Sequence, residues 1–256
     1  MSERPNIVFV FADDWGWGDL GCFGHPHIKT PNLDRLASQG TIFTNFHVCS
    51  GVCSPSRAAT MTSRFPARLG IHGHFAGHEM NETRGMPNWM DPSVTTYMSL
   101  LQTAGYRTGH YGKWHLGGGE GAPEPFAYGI DECRINVGNG PQLSFGADVQ
   151  FKAGQRHKSS EVIIDETIGF IERNKETPFA VNVWLNDTHA TLDPDEKQMA
   201  PYEHLMPKIV GTKWPGVLAI YYAVVTNADR HIGRLMDRLD ELDLAENTIL
   251  IFSADN

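Results

Sequence analysis

A chain of 256 residues with 41 % apolar and 20 % charged side chains is long enough for one large hydrophobic core or two small ones, and its composition is that of a soluble globular protein. A net charge of −9, with lysine and arginine scattered along the chain, argues against a nucleic-acid groove and leaves room only for a local cationic pocket. Four cysteines at irregular spacing, Cys22, Cys49, Cys53 and Cys133, form neither a zinc pattern nor a dense disulfide framework and suit a reducing compartment.

The first apolar run, residues 7–12, is β-branched and aromatic and reads as a parallel strand covered on both faces. It is too short to cross a membrane and has neither a long charged lead nor a small-residue cleavage site. The expected location is therefore cytoplasmic as written, and periplasmic or secreted if a leader has been removed. Asp13 and Asp14 follow at the carboxyl end, where open α/β sheets bind ligands. Two hard oxygen donors there point to Ca²⁺ or Mg²⁺, against the commoner use of such a pair in a turn or helix cap.

Thr30-Pro31-Asn32 opens a short helix with Leu33 and Leu36 inward, for which Gly40 is the expected left-handed cap. Residues 41–46 alternate and predict a strand leading to Cys53. The glycine-free run after Pro55 suits a helix and places Cys53 at its entrance, where unpaired N–H groups and the helix dipole favour an anion. Arg57, one turn in, adds a fixed positive fork. Cys53 is then a small core residue, a low-pKa thiolate nucleophile, or something that neither reading covers.

The string Cys53-Ser54-Pro55-Ser56-Arg57, ending at Thr62-Ser63-Arg64, closely resembles the signature of the type I sulfatases, with Ser63 where that family usually has glycine. Asp13-Asp14, residues 31–36 and residues 43–46 match the family's N-terminal pattern in the same order. The resemblance implies that Cys53 is converted after translation to formylglycine, an aldehyde whose hydrate is the nucleophile, and that a formylglycine-generating enzyme acts on the chain.

His72, His74 and His78 lie in a glycine-rich stretch without zinc-ligand spacing and read as loop histidines near an acidic surface. Residues 93–104 have helical spacing and end at Gly105; residues 106–112 predict a second strand. Lys113 and His115, two apart in an extended exit, can face one anion together, against the plain alternative of a solvated lysine and a packed histidine. Gly112-Lys113-Trp114-His115-Leu116-Gly117 also matches a sulfatase motif, which implies that both bind the sulfate or the hydrated aldehyde. Residues 117–158 have no sustained period and read as a rim insertion of the kind that sets substrate choice.

Residues 160–174 predict a helix and residues 178–185 a third buried strand, followed by Asn186-Asp187-Thr188-His189. His189 resembles the sulfatase histidine that serves the leaving group, although Thr191 stands where many members have proline. Residues 216–244 form a long amphipathic pattern with Leu218, Tyr222, Val225, Ile232, Leu235, Met236, Leu239 and Leu242 inward and its Asp and Arg pairs on a solvated face. Residues 248–254 are a fourth strand, and Asp255-Asn256 match the start of the family's Asp-Asn-Gly metal motif.

Strands alternating with helices predict an α/β sandwich of three layers, α/β/α, and the resemblance makes it the alkaline-phosphatase-like fold. It further implies a metal set of Asp13, Asp14, residue 53, Asp255 and Asn256 for Ca²⁺, with Mg²⁺ the second choice. The catalytic set is Cys53, Arg57, Lys113, His115 and His189, acting on a small-molecule or carbohydrate sulfate ester. The rival activities are a phosphonate or phosphate-ester hydrolase of the same superfamily and a non-catalytic fragment or binding module. The expected domain organisation is one catalytic α/β domain over residues 1–256, cut before a later lysine, further sheet and a small C-terminal domain. Such a cut predicts poor solubility or association, and aryl sulfate turnover at least about a hundredfold below that of an extended chain. No membrane contact is expected, and the oligomeric state is left open.

Overall fold

The computed structural model describes residues 4–138, 155–206 and 216–256. In chain order its elements are β1 (Asn6–Ala12), α1 (Pro31–Gln39), α2 (Cys53–Thr62), α3 (His78–Thr83), α4 (Tyr97–Thr103), β2 (Arg107–Lys113), β3 (Glu132–Asn136), α5 (Ser159–Asn174), β4 (Phe179–Trp184), α6 (Glu196–Met199), α7 (Val217–Glu241) and β5 (Thr248–Ala254). The five strands form one sheet in the order β3-β2-β4-β1-β5, every neighbouring pair parallel.

Both faces are covered, as the continuous apolar runs require. On one face Val8, Val10 and Ala12 of β1 and Phe179, Val181 and Val183 of β4 pack with Ile163 and Phe170 of α5 and Ile232, Leu235 and Leu239 of α7. On the other, Phe11 and Trp184 pack with Ala58 and Met61 of α2 and Met98 of α4. This is the expected three-layer sandwich. No helix among the described residues is long and apolar enough to cross a membrane.

Because every strand is parallel and in register, all five carboxyl ends lie along one edge. Ala12 pairs with Ala254, Phe11 and Gly112 both face Trp184, and Lys113 pairs with Asn136. The residues that follow each strand therefore meet there, whatever their separation in sequence.

Several expectations are corrected. Residues 41–46 form no strand: every one is exposed, and a two-residue alternation without a partner strand has nothing to hydrogen-bond. Gly40 closes α1 in an extended conformation, φ −128°, rather than a left-handed one. The helix predicted over 93–104 starts only at Tyr97, because Thr96 and Ser99 form a reciprocal cap. The stretch 117–158 contains β3, whose half-buried Glu-Cys-Arg-Ile-Asn sequence suits a sheet edge and carries no apolar run to announce it; positions 139–154 of that stretch lie outside the described residues. Leu218 is 66 % exposed, not inward.

Nor is the polar face of α7 wholly solvated. Asp229 is buried, and its carboxylate accepts from the backbone N–H groups of Asn32 and Leu33 at 3.2 and 2.8 Å. It caps the first turn of α1, whose own Thr30 makes no side-chain cap.

Candidate active site

Every residue of the expected catalytic and metal sets leaves the sheet at the carboxyl edge or enters from α2. Asp13 and Asp14 follow β1, Lys113 ends β2, His115 lies two residues beyond, His189 follows β4, and Asp255 and Asn256 follow β5. Cys53 is the first residue of α2 and Arg57 stands one turn further in.

At the centre is a buried ionic cluster. Lys113 Nζ donates to both oxygens of Asp13 at 2.6 and 2.7 Å, and Arg57 donates to Asp255 at 2.6 Å and to Asp13 at 3.3 Å; all four side chains are 0 % exposed. The Arg57 guanidinium lies over the rings of Trp184 and Phe11, 5.0 and 5.5 Å from their centroids. Burial, reinforced by Asp13 and opposed by Arg57, pushes the Asp255 carboxyl up. The loop after β4 is tied to the same place by a hydrogen bond from Thr188 Oγ1 to the Asp13 carbonyl.

Cys53 and His115 make the second part. Cys53 Sγ lies 3.1 Å from His115 Nδ1, and His115 Nε2 faces the Phe75 carbonyl at 3.3 Å. A carbonyl only accepts, so Nε2 carries the proton and Nδ1 presents its lone pair to residue 53. Burial, with Lys113 and Arg57 adding to it, depresses His115 to about 3. His115 adopts φ +52°, so the segment after β2 is not extended. The extended exit is therefore corrected, while both residues still border residue 53: Lys113 turns to Asp13 with its charge acting on the Cys53 thiol, and His115 turns to Cys53 itself.

The thiolate reading of Cys53 is corrected as well. Burial outweighs Lys113 and Arg57 and pushes the thiol up from its usual value, so the helix start does not make a ready anion of it. Cys53 itself is buried, 6 % exposed.

His189 stands at the open side, half-buried, with Nε2 3.9 Å from Asp14 and Nδ1 donating to the Ala190 carbonyl at 2.9 Å. Its own carbonyl accepts from Arg156 at 2.9 Å. Sequence reasoning missed Arg156 and Thr188, which fix the loops that carry His189 and Asp13: Arg156 lies in a stretch without a pattern, and Thr188, though beside His189, bonds a carbonyl 175 positions away. Of the loop histidines, His72 bonds the Arg84 carbonyl and His74 lies against the Arg84 side chain, while His78 begins α3 instead of lying in a loop.

The donor set fits a hard divalent cation. Oxygens of Asp13, Asp14 and Asp255 lie within 4.8 Å of one another, Asp14 N–H donates to Asp255 at 3.1 Å, and Asn256 reaches Asp14 at 3.0 Å. Three carboxylates against the charges of Arg57 and Lys113 leave the cluster one negative charge; a divalent ion would make it positive by one, the sign an anionic ester needs.

A sequence model of the family described as Sulfatase matches residues 5–256. The chain belongs to the sulfatase family. Human N-acetylgalactosamine-6-sulfatase is 31 % identical to this sulfatase-family chain over 99 % of it and 50 % of the relative, and human arylsulfatase A is 50 % identical over 48 % of it and 23 % of the relative. The chain thus spans about half the length of the first of these. The structure of Ps i-CgsB in complex with k-i-k-neocarrahexaose superposes with a TM-score of 0.83 at 26 % identity, covering 99 % of this chain and 59 % of that one. The architecture is the alkaline-phosphatase-like α/β fold of the type I sulfatases.

Proposed function

We propose that this chain carries the catalytic centre of a sulfuric ester hydrolase acting on carbohydrate or aryl sulfates, with residue 53 as formylglycine and Ca²⁺, or Mg²⁺, held by Asp13, Asp14, Asp255 and Asn256. The observation that carries the reading is the convergence of Cys53, at the start of α2, with His115 Nδ1 at 3.1 Å and the Arg57–Lys113–Asp13–Asp255 cluster beside it. The similarity to N-acetylgalactosamine-6-sulfatases favours a sulfated sugar. Conversion of Cys53 would require a formylglycine-generating enzyme in the host.

When bound, the cation and the formylglycine supply Lewis-acid charge and a nucleophilic hydroxyl at position 53. The chain's own residues do the rest. Arg57 and Lys113, both fully buried, place fixed positive charge where the sulfate oxygens gain negative charge. His115, with Nε2 held by Phe75, accepts a proton at Nδ1 from the side chain of residue 53. His189, at the open side with Nδ1–H held by the Ala190 carbonyl, delivers a proton from Nε2 to the departing alcohol as the imidazolium, whose charge faces Asp14 at 3.9 Å.

The test has two parts. Mass spectrometry of the peptide containing Cys53 should show the thiol replaced by an aldehyde, and Cys53→Ala should lower aryl sulfate turnover by at least about a thousandfold with the unfolding midpoint unchanged. An intact thiol in a chain that turns over aryl sulfate would overturn the formylglycine reading. Faster turnover of a phosphonate monoester than of an aryl sulfate would replace the sulfatase reading by the rival hydrolase.

A further inference from the structure

Beside His115 opens a cavity of about 380 Å³, lined by Phe75, Gly77, His78, Gly117–Gly119, Glu120 and Val137. Its volume is within the range of about 300–1,000 Å³ usual for small-ligand sites. It shares His115 with the catalytic cluster, so a group attached through oxygen to a sulfate at residue 53 has this space next to it.

Its walls are built rather than left over. The loop 117–119 has no side chains because there is no room for them: a Cβ on Gly118 would lie 2.4 Å from Val137, and one on Gly119 2.9 Å from His78 Nε2. His78 is fixed by a hydrogen bond from Nε2 to the Gly118 carbonyl at 3.1 Å and by edge contact with Trp89, which leaves Nδ1 as an acceptor. Among the described residues the exposed Glu120 is the one acidic side chain of the lining, and no cation there pairs with it.

We infer that this cavity seats the alcohol half of the substrate as an uncharged, hydroxyl-rich ring, and that Glu120 is a specificity-determining residue. Its carboxylate accepts hydrogen bonds from ring hydroxyl or amide N–H groups and repels a second anionic substituent. The preferred substrate class is therefore a singly sulfated neutral hexose or N-acetylhexosamine, in preference to a ring that also carries a carboxylate or a second sulfate. The Glu120 carboxylate penalises an anion on the ring, whereas the sulfate itself would be drawn to the positive charge of Arg57 and Lys113. The inference rests on the sulfatase reading, but the cavity and its chemistry do not depend on turnover.

The test uses the full chain and two readouts. Equilibrium binding of unsulfated N-acetylgalactosamine is measured by titration NMR for the wild type, Glu120→Gln and Gly77→Leu; a Cβ at Gly77 meets nothing within 4 Å, and its φ of −62° suits any residue, so the added side chain fills space without disturbing the fold. Both variants should weaken binding about tenfold, the order expected when a charge-assisted hydrogen bond or the room for the ring is lost. In kinetics, Glu120→Lys should reverse the wild-type preference for a singly sulfated N-acetylhexosamine over a disulfated one. Sugar binding indifferent to both variants, or an unchanged ratio of kcat/KM for the two substrates in Glu120→Lys, would overturn the inference. A chain that binds the sugar through Glu120 yet hydrolyses no sulfate ester would sustain the cavity and overturn the sulfatase reading instead.

Discussion

Asp13 is the residue on which the ionic cluster turns, since both Lys113 and Arg57 are paired with it out of reach of water. Removing one member of such a set leaves a buried charge without its partner, which is far worse than losing a surface pair. Lys113→Met in the presence of a chelator is expected to lower the free energy of unfolding by about 3–5 kcal/mol. Urea denaturation checks this, and a loss under about 1 kcal/mol would mean that the Lys113–Asp13 pair is not formed in solution. Millimolar Ca²⁺ should raise the unfolding temperature of the wild type, because an ion bound only by the folded state stabilises it by mass action. Asp14→Asn should abolish most of that rise; an identical rise in this variant would remove Asp14 from the metal set.

Among the elements, β2 and β4 bear the tightest constraints. Gly112 sits at φ +108°, and a Cβ there would fall 1.9 Å from the Trp184 carbonyl in the adjacent strand. Gly112→Ala should therefore force the two strands apart and disturb Lys113 and Trp184 together, so a loss of soluble protein or a drop of more than about 3 kcal/mol in stability is expected. Near-native stability would refute the close approach of the strands.

His110, on the same strand, is fully buried between Trp114 and Trp184, with Nε2 donating to the Lys113 carbonyl and Nδ1 facing the Asn182 amide. Burial depresses it to about 3, and His231 of α7 is likewise lowered to about 4. As pH falls below about 6.5 the unfolded chain takes up protons that the folded chain refuses, so each histidine removes stability on acidification, by up to about 1.4 kcal/mol per pH unit. Asp187 works in the opposite sense: burial pushes it up to about 7, so the folded chain keeps a proton that the unfolded chain releases, and stability is lost as pH rises from about 4 toward that value. His110→Gln should therefore flatten the decline of stability between pH 6 and pH 4. Urea midpoints at the two pH values decide it, and a slope equal to that of the wild type would show that His110 is not buried neutral.

For the molecule as a whole, the sheet is asymmetric. β5 pairs with β1 on one side and has no further strand among the described residues, and Ile249 and Ile251 on one of its faces are 49 % and 43 % exposed. Leu250 and Phe252, on the other face, pack onto the core beneath α7. An unpaired parallel strand with uncovered isoleucines is a template for association. At tens of micromolar the chain is expected to elute from size exclusion ahead of a monomer, and Ile249→Lys with Ile251→Lys should move it toward the monomer position. A wild-type chain that runs as a monodisperse monomer would contradict this.

The residues of the candidate site were legible in the sequence chiefly because their strings resemble the sulfatase motifs; the local patterns alone, an apolar run followed by polar groups or a helix start, left a plain structural reading of each open. The same local patterns delivered most helices and four of the five strands, since burial on both faces of a parallel strand writes itself as a continuous apolar run. β3 escaped because an edge strand needs no such run, and residues 41–46 misled because alternation says nothing about whether a partner strand is present. What only the tertiary structure decided is how those residues are shared out. Lys113 at the end of β2 is paired with Asp13, a left-handed φ at His115 turns that ring to Cys53, Asp229 is drawn inward to cap a helix nearly two hundred positions away in sequence, and the cavity beside Glu120 exists only where three loops meet. Pattern reports the faces a segment must bury; partners separated by a hundred residues are chosen by strand order and register, which are properties of the whole sheet.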